Sequence, residues 1–375
     1  MKKIIAFVLC AVVAAAALSV RADAVSAKAY ILMDARTGEV IIAKNESAPL
    51  PMASTTKIMT TLLTLESGDL DSEFVIDDRA LLTEGSSMGL CYGDAVTKRE
   101  LCYGMMLPSG NDAANASALK LAGEYADFAD VMNDRARKIG MKNTNFVTPS
   151  GLHDREHYST AYDMALLTRE AMKNEDFREI CKTKSIKLSS ENWQGDKYLT
   201  NSNKLLTKYE YCIGVKTGFT DEAGRCLVSA AEKDGVTLIC VTLNAPDDWN
   251  DHIAMLNAGF ASAKLAEPQD ICRDFTVAAV GGEHDSVKCK LSEMPKFTAI
   301  NGFLPEIAEK IYMPDFVYAP VKCGDTVGYV EYSTAKGVIG RADIIAAEDC
   351  AYNECETETP LYTIIIDFLK GFFVK

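Results

Sequence analysis

The sequence predicts an α+β fold, because β-type segments lie at both ends of the first two thirds of the chain with helical segments between them. Residues 28–45 and 224–244 alternate apolar and polar positions around polar turns, which is typical of strand hairpins. Apolar spacing predicts helices over residues 54–68, 98–140 and 159–173. We therefore expect one antiparallel sheet, assembled from distant segments and flanked by helices.

The first 24 residues have the pattern of a signal peptide. Two lysines precede the apolar run Ile4–Val20, and the small-x-small triplet Ala22–Ala24 follows it. The pattern predicts export and removal of residues 1–24. A cut after Ala27 and an uncleaved membrane anchor are the alternatives.

A chain of 375 residues exceeds what one core usually holds, so two domains are expected. The polar stretch Glu267–Asp270 marks the boundary after a first domain over residues 25–266. Short β-type runs split by glycines then predict a small β-sandwich over residues 267–355.

The last segment, residues 356–375, predicts an amphipathic helix. Leu361–Lys375 is strongly apolar, but its polar residues fall near one helical stripe, and the run is too short to span a bilayer. It suits a membrane anchor that lies in the interface. The alternative is a helix packed back on the body of the protein.

Charge and composition exclude several classes of function. A net charge of −14 is a poor match for nucleic acid. No glycine-rich nucleotide motif follows a strand, and the four histidines lack metal-ligand spacing, so no cofactor and no metal are expected. The eleven cysteines left after Cys10 cannot all pair, and we interpret them mainly as small buried apolar residues. A disulfide between Cys350 and Cys355 is the alternative for that pair.

Three short motifs occur in order, and their joint order is much more specific than any one of them. They are Ser54-Thr55-Thr56-Lys57, Ser109-Gly110-Asn111 and Lys216-Thr217-Gly218. A spacing of three places Ser54 and Lys57 on one helix face. Lys57 can deprotonate the Ser54 hydroxyl if its amine is neutral, which burial and the nearby charge of Lys216 favour. The alternative is that Ser54 only caps the helix.

The second motif lies in a loop between two predicted helices, where functional groups are often displayed. We expect Ser109 to relay a proton to the leaving amine and Asn111 to bind the acyl side of a substrate. Ordinary turn chemistry is the alternative for an isolated tripeptide of this kind.

The third motif begins a predicted strand. Gly218 leaves room for an extended peptide, while Lys216 and Thr217 offer a cation and a hydroxyl to its terminal carboxylate. The backbone amides of Ser54 and Phe219 are expected to form the oxyanion hole.

With these motifs the chain resembles the low-molecular-mass penicillin-binding D-alanyl-D-alanine carboxypeptidases, from about Lys28 to Phe260. The resemblance rests on Pro51-Met52-Ala53-Ser54-Thr55-Thr56-Lys57, Gly85-Ser86-Ser87, Ser109-Gly110-Asn111-Asp112-Ala113-Ala114, Gly151-Leu152, His157-Tyr158-Ser159-Thr160-Ala161 and Val215-Lys216-Thr217-Gly218-Phe219-Thr220. It implies a β-lactamase-like catalytic domain, a β-rich second domain and a C-terminal amphipathic anchor.

The resemblance also implies a function and a place in the cell. The expected enzyme is a serine carboxypeptidase that removes the terminal D-alanine from peptidoglycan pentapeptides through an acyl-enzyme at Ser54, with β-lactams as inhibitors. It is expected outside the cytoplasmic membrane, held at the membrane surface or in the cell wall.

One departure concerns substrate binding. Many relatives place an arginine after the strand that follows the hairpin of the third motif, whereas residues 244–252 contain none. Carboxylate binding is then expected from Lys216, Thr217 and His252. His153 and His157 are expected to be structural, because a lysine base makes a histidine base unnecessary.

Two other functions are weighed against this one. A class A β-lactamase needs a glutamate beyond the middle motif, and residues 144–151 contain none, so slow deacylation of penicillin is expected. A non-catalytic cell-wall binding protein on the same fold is the second alternative, and the intact motifs argue against it.

Overall fold

The structure is a computed structural model, and it describes residues 25–190, 192–193, 195–353 and 365–366. The described residues form two compact units. The first contains the residues up to Ala266 together with Thr298–Pro305, and the second contains Glu267–Phe297 and the residues from Glu306 onward. The domain limits expected from the sequence stay predictions.

The first unit mixes short strands with helices. Its strands are β1 Ala29–Asp34, β2 Val40–Lys44, β3 Phe74–Val75, β4 Ala95–Val96, β5 Ser185–Leu188, β6 Lys197–Thr200, β7 Cys212–Thr220, β8 Gly224–Lys233, β9 Val236–Leu243 and β10 Ala263–Ala266. Its α-helices are α1 Lys57–Glu66, α2 Lys98–Met106, α3 Asn111–Ala122, α4 Tyr125–Ile139, α5 Ala161–Ala171, α6 Glu175–Lys182, α7 Leu205–Lys208 and α8 Asp248–Ser262.

Five of these strands form one antiparallel sheet in the order β2-β1-β9-β8-β7. β1 is buried along its whole length, with Ile31 and Met33 in one core and Tyr30 and Leu32 in another. Because successive side chains of a strand point to opposite faces, both faces must be covered. Residues of α1–α6 complete the first core, and residues of α7 and α8 complete the second. This arrangement confirms the predicted α+β class.

The helix of the first motif lies at the centre of the first core. A 3₁₀ turn, Ala53–Thr56, leads into α1, in which Lys57 and the following three residues are fully buried. The helix ends before Gly68, whose φ of +66° favours glycine. A helix buried on several sides anchors the 3₁₀ turn that precedes it, and that turn carries Ser54.

The second unit is the expected small β domain. Its strands are β11 Asp274–Val280, β12 Ser286–Leu291, β14 Ala308–Tyr312, β15 Phe316–Tyr318, β16 Thr326–Thr334 and β17 Gly337–Ala346. β13, Phe297–Ile300, belongs almost entirely to the first unit, where it pairs with β10. The six strands that the structure describes in the second unit form one sheet in the order β14-β16-β17-β12-β11-β15. β11 and β12 alternate exposed and buried positions, as expected for strands that face water on one side.

All ten cysteines that the structure describes are free thiols, and seven of them are buried. This agrees with their interpretation as apolar filler. Cys355, the second partner of the disulfide left open above, lies outside the described residues.

Both terminal predictions fall outside most of what is described. The signal peptide at residues 1–24 lies outside the described residues, as does the predicted anchor helix except for Ile365 and Ile366, which are helical. In the part of the chain that the structure covers, no helix has the length and apolarity needed to cross a bilayer.

Candidate active site

The turn that carries Ser54 is held in an unusual backbone conformation. Ala53 has a φ of +47°, a value that costs free energy in residues other than glycine. Two side chains secure the turn: Thr55 Oγ1 donates to the Met52 carbonyl at 2.7 Å, and Thr56 Oγ1 donates to the Ala53 carbonyl at 2.8 Å. The hydroxyl of Ser54 is thereby presented at a fixed place, half-buried at the edge of the core.

Two glycines allow other segments to close against this turn. A Cβ added to Gly151, whose φ is +82°, would lie 2.0 Å from the Ala53 carbonyl oxygen. A Cβ added to Gly218 on β7 would lie 3.0 Å from the Ser54 nitrogen. The sequence analysis assigned the space beside Gly218 to a peptide substrate, but on its Cβ side the Ser54 turn takes that space.

The amine of Lys57 is bound by three oxygen atoms. Its Nζ lies 3.0 Å from Ser54 Oγ, 2.6 Å from Asn111 Oδ1 and 2.7 Å from the Ser150 carbonyl. Two of these oxygens are acceptors only. A neutral amine has two N–H groups and one lone pair, so once both carbonyl oxygens are satisfied the lone pair faces the Ser54 hydroxyl.

The surroundings of Lys57 favour this neutral form. Complete burial lowers the pKa of Lys57 well below its usual value, and the charge of Lys216 lowers it further, whereas Asp112 acts in the opposite direction. Burial also lowers the pKa of Lys216 to about 7. Burial and the neighbouring lysine thus both favour the uncharged form of the Lys57 amine.

Lys216 lies on the face of β7 that points into the protein, as does Gly218 two residues further along. Its amine donates to the Thr217 carbonyl at 2.8 Å and is nearly inaccessible. Thr217 and Gly218 line the open cavity beside Ser54, and Lys216 does not. The predicted contact of Lys216 with a substrate carboxylate stays a prediction.

The second motif lines the same cavity as Ser54. Ser109 has a φ of +68° and faces the cavity, and its hydroxyl has no hydrogen-bond partner among the described residues. Asn111 begins α3; its Oδ1 accepts from Lys57, and its Nδ2 donates to the Glu84 carbonyl at 2.7 Å. Asn111 therefore orients the lysine amine, a role that the sequence analysis did not assign to it.

Asp112, to which the sequence analysis gave no role, fixes a loop at the rim of the site. Its carboxylate accepts hydrogen bonds from Ser87 Oγ and from the backbone N–H groups of Met88, Gly89 and Leu90. This loop continues the Gly85–Ser87 segment, which contributes Gly85 and Ser86 to the cavity wall. The residue after the second motif thus shapes one wall of the site.

The backbone of β7 presents the N–H of Phe219 to the open edge of the sheet. β7 is the outermost strand, and Phe219 pairs with Arg225 on β8. The Arg225 carbonyl accepts a hydrogen bond from the Ala245 N–H, so it points toward the β9 side. Because the N–H and C=O of one strand residue point to the same side, the Arg225 N–H also points away from β7. Phe219 and Arg225 are therefore a non-hydrogen-bonded pair, and the Phe219 N–H points away from β8, as an oxyanion-hole donor must.

These groups surround a cavity of about 490 Å³. Among the described residues that line it, the charged side chains belong to Lys204, Arg225 and Asp248. Its remaining lining residues are Ser54, Gly85, Ser86, Ser109, Asn111, Gly151, Leu152, Ser202, Thr217, Gly218, Phe219, Thr220 and Trp249. Arg225 and its neighbours Asp248 and Trp249 are site residues that the sequence analysis missed.

The structure does not support His252 as a carboxylate ligand, which corrects the expectation from the sequence. The ring is fully buried and lies between Ser229 Oγ at 2.6 Å and Thr242 Oγ1 at 3.0 Å. Burial lowers the pKa of His252 to about 3. A neutral imidazole with both nitrogens engaged has no charge to offer a ligand.

His157 has the structural role that the sequence analysis expected. Its Nδ1 accepts from the backbone N–H groups of Val147 and Thr148, so the proton lies on Nε2, which is 2.8 Å from Thr56 Oγ1. Burial lowers the pKa of His157 to about 4. The neutral ring connects residues 147–148 to the turn of Ser54.

Lys216→Met is expected to raise the unfolding temperature and to flatten its dependence on pH. The pKa of Lys216 is about 7 in the folded chain, against 10.5 for an ordinary lysine. At pH values between about 7 and 10.5 the unfolded chain binds one more proton at this lysine than the folded chain does. The free energy of unfolding of the wild type therefore rises with pH across this window. Lys57 contributes a slope of the same sign, so the flattening is partial.

Thermal unfolding followed by circular dichroism from neutral to alkaline pH measures this effect. The control is Lys208→Met, which removes an exposed lysine from α7. If the unfolding temperature depended on pH equally in Lys216→Met and in the wild type, Lys216 would not have a lowered pKa in the folded chain.

The chain is similar to known D-alanyl-D-alanine carboxypeptidases. The family model described as D-alanyl-D-alanine carboxypeptidase, Peptidase_S11, matches residues 16–247. The D-alanyl-D-alanine carboxypeptidase DacF of Bacillus subtilis is 32% identical over 86% of this chain and 85% of its own length.

Solved structures of related proteins show the same fold. The D-alanyl-D-alanine carboxypeptidase DacD of Francisella tularensis superposes with a TM-score of 0.62 at 28% identity, covering 87% of this chain and 94% of the other. Penicillin binding protein 5 of Haemophilus influenzae gives a TM-score of 0.63 at 27% identity, covering 87% and 98%. With the family model matching more than half of its length, the chain belongs to the D-alanyl-D-alanine carboxypeptidase family of serine peptidases, Peptidase S11.

Proposed function

We propose that this serine peptidase removes the terminal D-alanine from peptidoglycan stem pentapeptides through an acyl-enzyme at Ser54. The observation that carries the proposal is the environment of Lys57 Nζ, which lies 3.0 Å from Ser54 Oγ while two carbonyl oxygens accept its N–H groups. This is the geometry of a neutral general base beside its nucleophile.

The proposed reaction begins when Ser54 Oγ attacks the carbonyl of the penultimate D-alanine and passes its proton to Lys57. The negative charge that develops on the carbonyl oxygen is bound by the N–H groups of Ser54 and Phe219. Ser109 relays the proton to the leaving amine, and free D-alanine departs. Water then hydrolyses the ester and regenerates the Ser54 hydroxyl.

The substrate is proposed to bind along the open edge of β7. An extended peptide can add to an unpaired strand edge through its backbone. Thr217, Gly218 and Phe219 line the cavity at that edge, and Thr217 offers its hydroxyl toward the end of the peptide. Asn111 retains one N–H for the acyl side of the substrate while its other groups hold Lys57 and the Glu84 carbonyl.

The proposal includes inhibition by β-lactams. A β-lactam acylates the same serine, and the ester persists unless a carboxylate activates a water molecule beside it. Asp248 is the one carboxylate among the described residues that line the cavity, and it is paired with Arg225 at 2.8 Å. Residues 144–151, where a β-lactamase would have its glutamate, contain none, and Gly151 at the end of this segment packs on the Ala53 carbonyl.

We further propose that the protein acts outside the cytoplasmic membrane. The signal-peptide pattern of residues 1–24 and the peptidoglycan substrate of the family support this location. The apolar segment Leu361–Lys375 supports attachment to the membrane surface. Vesicle flotation with the full chain and with a chain ending at residue 355 tests the attachment; equal flotation would contradict it.

Two measurements test the function. Mass spectrometry of a synthetic pentapeptide ending in D-Ala-D-Ala is expected to show the loss of one alanine. Labelled penicillin is expected to form a persistent adduct on the proteolytic peptide that contains Ser54. Absence of both results would favour a non-catalytic cell-wall binding protein, and rapid repeated turnover of penicillin would favour a β-lactamase.

A further inference from the structure

Arg225 lines the cavity beside the third motif. It follows the turn between β7 and β8 and is the cross-strand partner of Phe219. Side chains of paired residues extend from the same face of a sheet, about 5 Å apart at their Cβ atoms. The Arg225 side chain therefore enters the cavity next to Phe219, whose N–H is the proposed oxyanion-hole donor.

The Arg225 guanidinium is held from two sides by the start of α8. Its Nη2 donates to both carboxylate oxygens of Asp248, at 2.8 and 2.9 Å, and its central carbon lies 5.5 Å from the centre of the Trp249 ring. The Asp248 side chain is only 3% exposed, whereas that of Arg225 is 41% exposed. Asp248 and Trp249 thus hold one side of the guanidinium, and the arginine still lines the cavity.

The N–H groups of Arg225 that do not bind Asp248 are available to a ligand. An arginine has five N–H groups, and those on Nε and Nη1 form no hydrogen bond with any residue that the structure describes. A planar guanidinium with unused donors matches the geometry of a carboxylate.

The other candidate groups match less well. Lys204 is an exposed lysine on the cavity wall, and no described residue braces its amine. Lys216 is buried with its amine on the Thr217 carbonyl, and His252 is neutral and enclosed. Arg225 is thus the one cation among the described cavity residues that other side chains hold in position.

We propose that Arg225 binds the C-terminal carboxylate of the substrate and that Asp248 and Trp249 are positioning residues that hold it there. The inference rests on the proposed function, which puts the attacked carbonyl beside Phe219. One residue spans at most about 3.6 Å, so a carboxylate one residue beyond that carbonyl lies close to the Arg225 side chain. The same guanidinium favours peptides that end after a single further residue.

The test compares a diacetylated Lys-D-Ala-D-Ala peptide with its C-terminal amide. Arg225→Gln is expected to lower kcat/KM for the acid by about 10- to 100-fold, as for loss of hydrogen bonds to a charged group, and to leave the amide nearly unaffected. Asp248→Asn and Trp249→Leu are expected to raise KM for the acid with little change in kcat. The matched control is Arg178→Gln, which removes an exposed arginine paired with Glu232 at 3.0 Å outside the cavity.

The double variant Arg225→Gln/Asp248→Asn covers the case in which Arg225→Gln misfolds, because it leaves no unpaired buried carboxylate. A loss of preference for the acid in either variant supports the inference. Equal losses for acid and amide, or an unchanged ratio between them, overturn it.

A second pair of probes separates this inference from the proposed function. Benzylpenicillin carries a carboxylate and its methyl ester does not, and both can acylate Ser54. One outcome is that the wild type releases no alanine but is acylated faster by benzylpenicillin than by its ester, and that Arg225→Gln removes this difference. In that case the proposed function fails and the inference stands. If the wild type releases alanine and Arg225→Gln alters neither ratio, only the inference fails.

Discussion

Replacing Lys57 by methionine is expected to slow acylation of Ser54 by about 10³- to 10⁴-fold, the upper range for loss of a general base. Methionine fills a similar volume but has no lone pair that can accept the Ser54 proton. The rate of adduct formation with labelled penicillin, followed by intact-protein mass spectrometry, measures the effect directly.

Lys57→Arg separates proton transfer from charge. Arginine keeps a cation at this position but does not lose its proton in proteins, so a base mechanism predicts that Lys57→Arg is as slow as Lys57→Met. Lys120→Met, which removes an exposed lysine on α3, is the control for general effects of lysine loss. Rapid acylation of Lys57→Arg would rule out Lys57 as the base.

Gly151→Ala is expected to stop acylation although it removes no functional group. The new Cβ would lie 2.0 Å from the Ala53 carbonyl oxygen and 2.8 Å from Thr56 Oγ1, at a φ of +82°. The Ser54 turn or residues 148–152 would have to move, at a cost of about 2–5 kcal/mol from overpacking and backbone strain. Displacement of Ser54 Oγ from Lys57 Nζ removes the alignment on which acylation depends.

The matched control for this variant is Gly140→Ala. Gly140 also has a positive φ, +94°, but a Cβ there meets nothing within 4 Å. It is expected to cost about 1–2 kcal/mol and to acylate at the wild-type rate. Urea unfolding gives the stability of both variants, and penicillin acylation gives their activity. Wild-type acylation by Gly151→Ala would show that the contact with Ala53 does not hold the site.

Local spacing accounts for the parts of the site that the sequence predicted. Ser54 and Lys57 are three residues apart at the start of a helix, so their proximity follows from helix geometry, and the structure gives 3.0 Å between Oγ and Nζ. The burial that lowers the pKa of Lys57 was also expected, because its helix is apolar on several sides. Such predictions require only one secondary-structure element and its number of residues per turn.

Arg225 was missed because its position depends on cross-strand register. A single arginine within a strand matches no motif, and its partners Asp248 and Trp249 follow the next strand along the chain. The pairing of Thr220 with Gly224 sets the register that brings Arg225 opposite Phe219. Counting outward from that turn would have placed it beside the third motif.

The same limit applies to Gly151 and His157. Both were noticed in the sequence, but their contacts with Ala53 and Thr56 join segments about a hundred residues apart. No periodicity encodes such contacts, since they arise only when the loop after α4 folds over the start of α1. The reason for a glycine at 151 became visible only with the distance to Ala53.

The packing of Ser54 between Gly151 and Gly218 has a practical consequence for work with this protein. The reactive geometry requires three separate regions of the chain to meet, so a misfolded or partly unfolded molecule has an ordinary serine at this position. A fluorescent penicillin therefore reports only on correctly folded copies. Titration to saturation would give the native fraction of a preparation, and loss of labelling on heating would follow unfolding of the catalytic unit by itself.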